Sequence, residues 1–201
     1  MMHYLLRLCL ILLLGSRAYG QEPRQAFDDL MGSFSSISGA FVQTIYAESG
    51  EIIDQQRGRM SLQKPRLIRW ETADPRQIMV CDGDSIYLYD PDLEQVVIRP
   101  WRDDPTQNPV SLFTADVDLS EWFDISQEGS TFELRPIQQG SLINLIQVFV
   151  GNSGKPSGFR VSDQPGQVSE VQFEDVDFDV NPSPPTFSFV VPDGVDVIVD
   201  D

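Results

Sequence analysis

The sequence predicts a mainly β fold (α+β class), a single antiparallel sheet that curls around an interior. Three observations carry this. Short strand-like runs follow one another between Gly, Pro and Asp turns; helical patterns are confined to two short segments; and several strand runs are apolar on both parities.

The first helical segment is "PRQAFDDLMGSF". Pro23 stands near its start and Gly32 near its end, and Phe27, Leu30, Met31 and Phe34 fall on one stripe at offsets of three, four and seven. The second, "QNPVSLFTA", is shorter. Asn108 is placed to cap it, Pro109 suits the first helical position, and Val110, Leu112 and Phe113 follow.

The remaining runs read as strands: "GAFVQTIYA", "IIDQQRGRMSLQ", "RLIRWET", "QIMVCDG", "SIYLYD", "EQVVIRP", "TFELRP", "LINLIQVFV", "GFRVSD", "EVQFEDVDFDV" and "TFSFVV". Turns such as "DGD" at Asp82 and "DPD" at Asp90 divide them, the pattern of an antiparallel meander. In "VQFEDVDFDV" the alternation changes parity at Glu174 and Asp175, which predicts a bulge that bends the strand.

The run "SLQKPRLIRWE" shows why the sheet needs an inside. A strand wet on one face alternates strictly, yet Leu67, Ile68 and Trp70 occupy both parities, and "SIYLY" and "LINLIQVFV" behave alike. Such strands need apolar cover on two sides. Either the sheet closes on a core filled with side chains, or it stays partly open around an apolar cavity with the helices as a lid.

The first twenty residues stand apart. Arg7 supplies a positive start, "LCLILLLG" is an apolar stretch well short of the roughly 20 residues of a membrane-spanning helix, and "AYG" ends in small residues. Residues 1–20 read as a cleaved secretory signal peptide, and 21–201 as one domain of an exported, soluble protein. The presumed new first residue is Gln21, not the cysteine that a lipid anchor requires.

Cleavage removes His3, the one histidine, and Cys9, one of two cysteines, and leaves Cys81, which reads as a small buried strand residue, with a reactive or intermolecular thiol as the alternative. A Ser-His-Asp triad, a Cys-His pair, an imidazole metal site and an intramolecular disulfide are then excluded by inventory. Loss of Arg7 and Arg17 takes the formal charge from −17 to −19. Nucleic acid is repelled at that charge. Carboxylate catalysis would need two acids set across a groove, and no pair stands out from the turn residues Asp82, Asp84, Asp90 and Asp92. "DGDS" lacks the later Gly and acid of a calcium loop. The chain reads as a non-enzyme without cofactor or metal.

Five blocks, "SSISGAFVQ", "GRMSLQKPRLIRWE", "DGDSIYLYDPDLEQV", "NPVSLF" and "TFSFVVPDGVDVI", occur in an order and spacing that resembles the periplasmic lipoprotein carriers of the LolA family. The resemblance spans essentially the whole of residues 21–201. It implies a strongly curved, incomplete antiparallel β-barrel with a helical lid over an apolar cavity that takes lipoprotein acyl chains. It also implies two partners, an inner-membrane ABC transporter that loads cargo and a lipid-anchored outer-membrane receptor that accepts it. A monomer suffices for such work. Family positions carry over to Phe41, Ile45, Ile68, Trp70, Leu112, Phe113 and Phe159 as cavity or lid residues, alongside Leu30 and Phe34 of the first helix. The family's basic residue before the proline is usually arginine and latches the lid. Here it is Lys64, which keeps the charge but loses the planar fork. The nearest alternatives are a lipid sensor and the anchored receptor, which share the fold.

Overall fold

The computed structural model describes residues 22–114 and 116–200. The segment read as a signal peptide, and the cleavage point before Gln21, lie outside the described residues. The described chain starts with helix α1 (Glu22–Gly32), followed by strands β1 (Ser36–Tyr46), β2 (Ile52–Gln63), β3 (Leu67–Ala73), β4 (Arg76–Asp82), β5 (Ser85–Asp90) and β6 (Gln95–Pro100). Two 3-10 turns, Pro109–Phe113 and Leu119–Glu121, lead to β7 (Phe123–Glu128), β8 (Thr131–Pro136), β9 (Ile143–Val150), β10 (Pro156–Asp163) and β11 (Val168–Phe178). A third 3-10 turn, Pro184–Phe187, precedes β12 (Asp196–Val199).

All twelve strands share one sheet, in the order β12-β6-β5-β4-β3-β2-β1-β11-β10-β9-β8-β7. Two antiparallel meanders, β1 to β6 and β7 to β11, are sewn together where β1 pairs with β11. The two ends, β12 and β7, do not pair, so the curved sheet is an incomplete barrel. The bend is built where expected. The β1–β11 register slips between Ser38 and Ala40, opposite Asp177 and Glu174, and Asp175 takes a φ of 48°. Gly39 permits the slip, because a Cβ there would lie 2.7 Å from the Asp175 carbonyl oxygen.

The concave face and α1 enclose the main core. Phe27, Ile37, Phe41, Ile68, Phe113, Phe123, Leu134 and Ile146 are essentially inaccessible to water. Phe27, Leu30 and Met31 form the buried stripe of α1, and Phe34 joins them from two residues beyond the helix end. Phe27 meets Phe132 of β8 edge-on, with ring centroids 5.2 Å apart, and Phe34 meets Phe178 at 5.6 Å.

The convex face answers the double parity of β3 to β6 in a way the sequence reading did not foresee. Ile68 and Trp70 face the core, while Val80 and Val96 are fully buried on the other side of the sheet. What covers that side is the C-terminal segment. Its turn at Pro184–Phe187 lies against β3 and β4, Phe187 is buried, Phe189 rests on Tyr87 and Tyr89, and Arg69 donates to the Thr186 carbonyl at 3.2 Å. The second apolar parity in these strands therefore reports an outer cover, not extra interior.

Four local expectations are corrected. "TFSFVV" forms no strand: Thr186 and Phe187 close the 3-10 turn Pro184–Phe187, and the segment lies against the face of β3 and β4 instead of pairing along an edge. "FDISQE" and "DVIV", passed over, form β7 and β12. β12 runs parallel to β6, so the sheet is not wholly antiparallel. Asn108 does not cap with its side chain: its carbonyl accepts from Ser111 at 2.9 Å, and its amide nitrogen lies 3.8 Å from Met79 Sδ.

Candidate functional site

The turn Lys64-Pro65-Arg66 between β2 and β3 fastens both covering segments. The Lys64 backbone N–H donates to the Ser35 carbonyl at 2.9 Å, just beyond α1. Its ammonium donates to the carbonyls of Met31 and, at 3.2 Å, Phe34, and stands 4.2 Å from the centroid of the Phe34 ring. One residue later the chain turns left-handed at Arg66 (φ 62°), whose backbone N–H donates to the Thr114 carbonyl at 3.0 Å. Thr114 ends the turn that carries Leu112 and Phe113. A three-residue stretch thus holds the end of α1 through a side chain and the second covering segment through the backbone.

Burial is the main influence on the Lys64 ammonium and pushes its pKa down, opposed by the nearby Asp179 carboxylate and reinforced by Lys155. Asp179 is itself fixed by the amide and hydroxyl of Ser35, at 2.8 and 3.0 Å. Those bonds hold its carboxyl below the usual range.

Beneath the covering segments lies an aromatic interior. Phe113 reaches down to Phe159 and Phe173, with centroids 5.5 Å from each. Phe41 stacks on Trp70 at 3.8 Å. Leu112 and Phe113 are buried, so the protein fills its own interior with the side chains of its cover. Toward β5 and β6 the filling stops. Met79 and Ile86, packed against the core, continue with Leu88 into an open groove of about 410 Å³ rimmed by Trp101, Arg99 and Arg102. A second groove, of about 530 Å³, runs beside α1 along Ala26, Leu30, Phe132 and Val150.

A family model described as "Outer membrane lipoprotein carrier protein LolA" matches residues 32–190, which contain the aromatic cluster from Phe41 to Phe173. The chain belongs to the LolA family. LolA relatives named "Outer-membrane lipoprotein carrier protein" include one from Chromohalobacter salexigens, 35% identical over 84% of this chain and 83% of its own length. Another, from Proteus mirabilis, is 32% identical over 84% of each. One from Aliivibrio fischeri is 28% identical over 98% of each. Among solved structures, a LolA superfamily protein from Nitrosomonas europaea shares the fold at a TM-score of 0.50 and 12% identity, over 86% of this chain and 99% of its own. An uncharacterized conserved protein from Thermus thermophilus does so at 0.55 and 16% identity, over 90% and 100%.

The expected cavity and lid positions are gathered unevenly. Leu30, Phe34, Phe41, Ile68, Leu112, Phe113 and Phe159 share one buried cluster, and Trp70 packs against it half-buried. Ile45 stands apart, partly exposed near the end of β1 opposite Asp54 and Ser169. Three residues were missed: Phe173, which completes the aromatic cluster, Gly58, and Lys155. Gly58, a glycine inside a strand run, was visible as a point of close approach. No local pattern marks Lys155.

Proposed function

We infer that this chain carries lipoproteins across the periplasm, holding their acyl chains in the interior now filled by Leu112, Phe113 and the α1 stripe. The observation that carries this is a cover fastened by a few polar bonds at one turn, over an aromatic interior that continues past Met79, Ile86 and Leu88 into an open groove with a polar rim. Residues 21–201 act as one domain after the leader is removed. A non-catalytic role accords with the chemistry available to that domain.

Magnitudes favour exchange over permanent capture. An acyl chain gains about 0.8 kcal/mol per buried methylene, roughly 10 kcal/mol for a long chain fully enclosed. Returning two large side chains to the interior recovers about 3 to 6 kcal/mol. The difference leaves binding favourable and release accessible, a population shift between a self-filled and a cargo-filled state. The Lys64 bonds bias the balance toward the closed empty form. Loading from an inner-membrane ABC transporter and delivery to a lipid-anchored receptor complete the proposed cycle.

The test is uptake by the folded, purified protein. An environment-sensitive apolar dye should bind stoichiometrically, and Trp70→Glu or Phe113→Glu should weaken it while the fold persists. Mass spectrometry of material copurified from the periplasm should show acylated protein. A folded chain that takes up no apolar ligand overturns the reading.

A further inference from the structure

The chain has two lysines, Lys64 and Lys155, and both donate to the C-terminal end of α1. Lys64 comes from the β2–β3 turn in the first meander and takes the carbonyls of Met31 and Phe34. Lys155 comes from the β9–β10 turn in the second and takes the carbonyl of Ser33. Its ammonium lies 5.8 Å from the centroid of Phe178, the ring on which Phe34 packs. Ser35, just beyond the helix, is held by the Asp179 carboxylate.

α1 has no basic residue in its own last turn. The last carbonyls of a helix lack partners within it and carry the negative end of its dipole, so they attract cations. Here the cations arrive from two turns far apart in sequence, one from each half of the sheet.

We propose that Lys155 is a second positioning residue of the lid: α1 is clamped at its C-terminal end by two lysines, one per meander, and both must let go before the helix leaves the interior. This rests on the carrier reading for its purpose. Its mechanical content does not need cargo. Phe27 and Phe34 anchor the apolar stripe, and the two ammonium groups fix where the helix ends. A hydrogen bond from a charged donor shifts an equilibrium by about tenfold or more when shielded. Lys155 is partly exposed, so about three- to tenfold is expected.

Hydrogen exchange on the full mature protein without ligand tests the clamp. Lys155→Met should speed exchange of the α1 amides about three- to tenfold while the β1 and β11 amides stay unchanged. Lys155→Arg should restore protection, and the double variant Lys64→Met/Lys155→Met should exceed either single. α1 exchange in Lys155→Met equal to wild type overturns the proposal. Amine acylation gives a second readout in the unmutated protein, since two lysines are resolved by peptide mass spectrometry. Saturation with an apolar dye should speed modification of both. Acceleration at Lys64 alone overturns the joint clamp. If α1 loosens as expected but no form of the protein binds dye, the clamp stands and the carrier reading falls; dye uptake with wild-type α1 exchange in Lys155→Met is the reverse case.

Discussion

Phe41 of β1 and Trp70 of β3 stack with ring centroids 3.8 Å apart and planes 24° from parallel, although β2 lies between their strands. Gly58 of β2 makes this possible. A Cβ at Gly58 would fall 2.3 Å from Phe41 Cζ and 2.1 Å from the Glu71 carbonyl oxygen. The first contact could be relieved by moving a ring, the second only by moving backbone. The stack that floors the interior therefore depends on a missing side chain.

Gly58→Ala should destabilise the protein by at least about 1 to 3 kcal/mol, the usual cost of overpacking a well-filled core. Urea unfolding should show a lower midpoint at an unchanged slope. Near-UV circular dichroism of the tryptophans should change as Phe41 is driven off Trp70. A wild-type midpoint would mean that β2 can shift locally at no cost.

Lys64→Leu should leave cargo uptake largely intact and slow handover to the receptor, because the emptied interior no longer gains the bonds to Met31 and Phe34 on closing. Such bonds contribute about 1.5 to 3 kcal/mol when shielded and less near water. Lys64→Arg should keep or improve handover by supplying a planar fork of donors. A transfer assay with purified receptor compares all three; wild-type delivery by Lys64→Leu would reduce the lysine to an ordinary turn residue.

Acid should loosen the anchor beyond α1. The Ser35 amide and hydroxyl lower the folded-state pKa of Asp179, with the two lysines helping. A carboxyl depressed on folding stabilises the native state fully above its unfolded value, and that contribution disappears as pH falls through the folded value. Wild-type thermal stability should therefore decline through and below the ordinary carboxylate range. Asp179→Asn, with no proton to gain, should show a shallower decline. Parallel slopes would show that Ser35 needs no charge on its partner.

Cys81 should be inert in the folded protein. Burial is the main cause pushing its thiol up to about 11, and the side chain is shut off from water. An aromatic disulfide reagent at mildly alkaline pH should titrate it only after denaturant is added. Rapid labelling of native protein would mean that β4 opens locally.

Much of the frame was legible because it is written in local spacing. The 3.6-residue stripe of Phe27, Leu30, Met31 and Phe34 made α1 visible, two-residue alternation made most strands visible, and the parity change at Glu174 and Asp175 marked the bulge. The inner residues Phe41, Ile68, Leu112, Phe113 and Phe159 came from the family resemblance and not from spacing; the structure buries all five in one cluster. Failures came where one pattern admits two tertiary causes. Val80 and Val96 look like inward residues by composition, but they are buried on the outer face, where the C-terminal segment lies against β3 and β4 and Phe189 rests on Tyr87 and Tyr89. "TFSFVV" alternates like a strand, yet its partner is a sheet face and not an edge. "DVIV" is too short to stand out, and only the crossover that lays it beside β6 makes it a strand. The pairing of β1 with β11 and the meeting of Lys64 with Lys155 join residues from opposite halves of the chain. Periodicity reports which face of an element is apolar. It carries no record of which distant face, edge or helix end will be brought against it, and that was decided by the curl of the sheet.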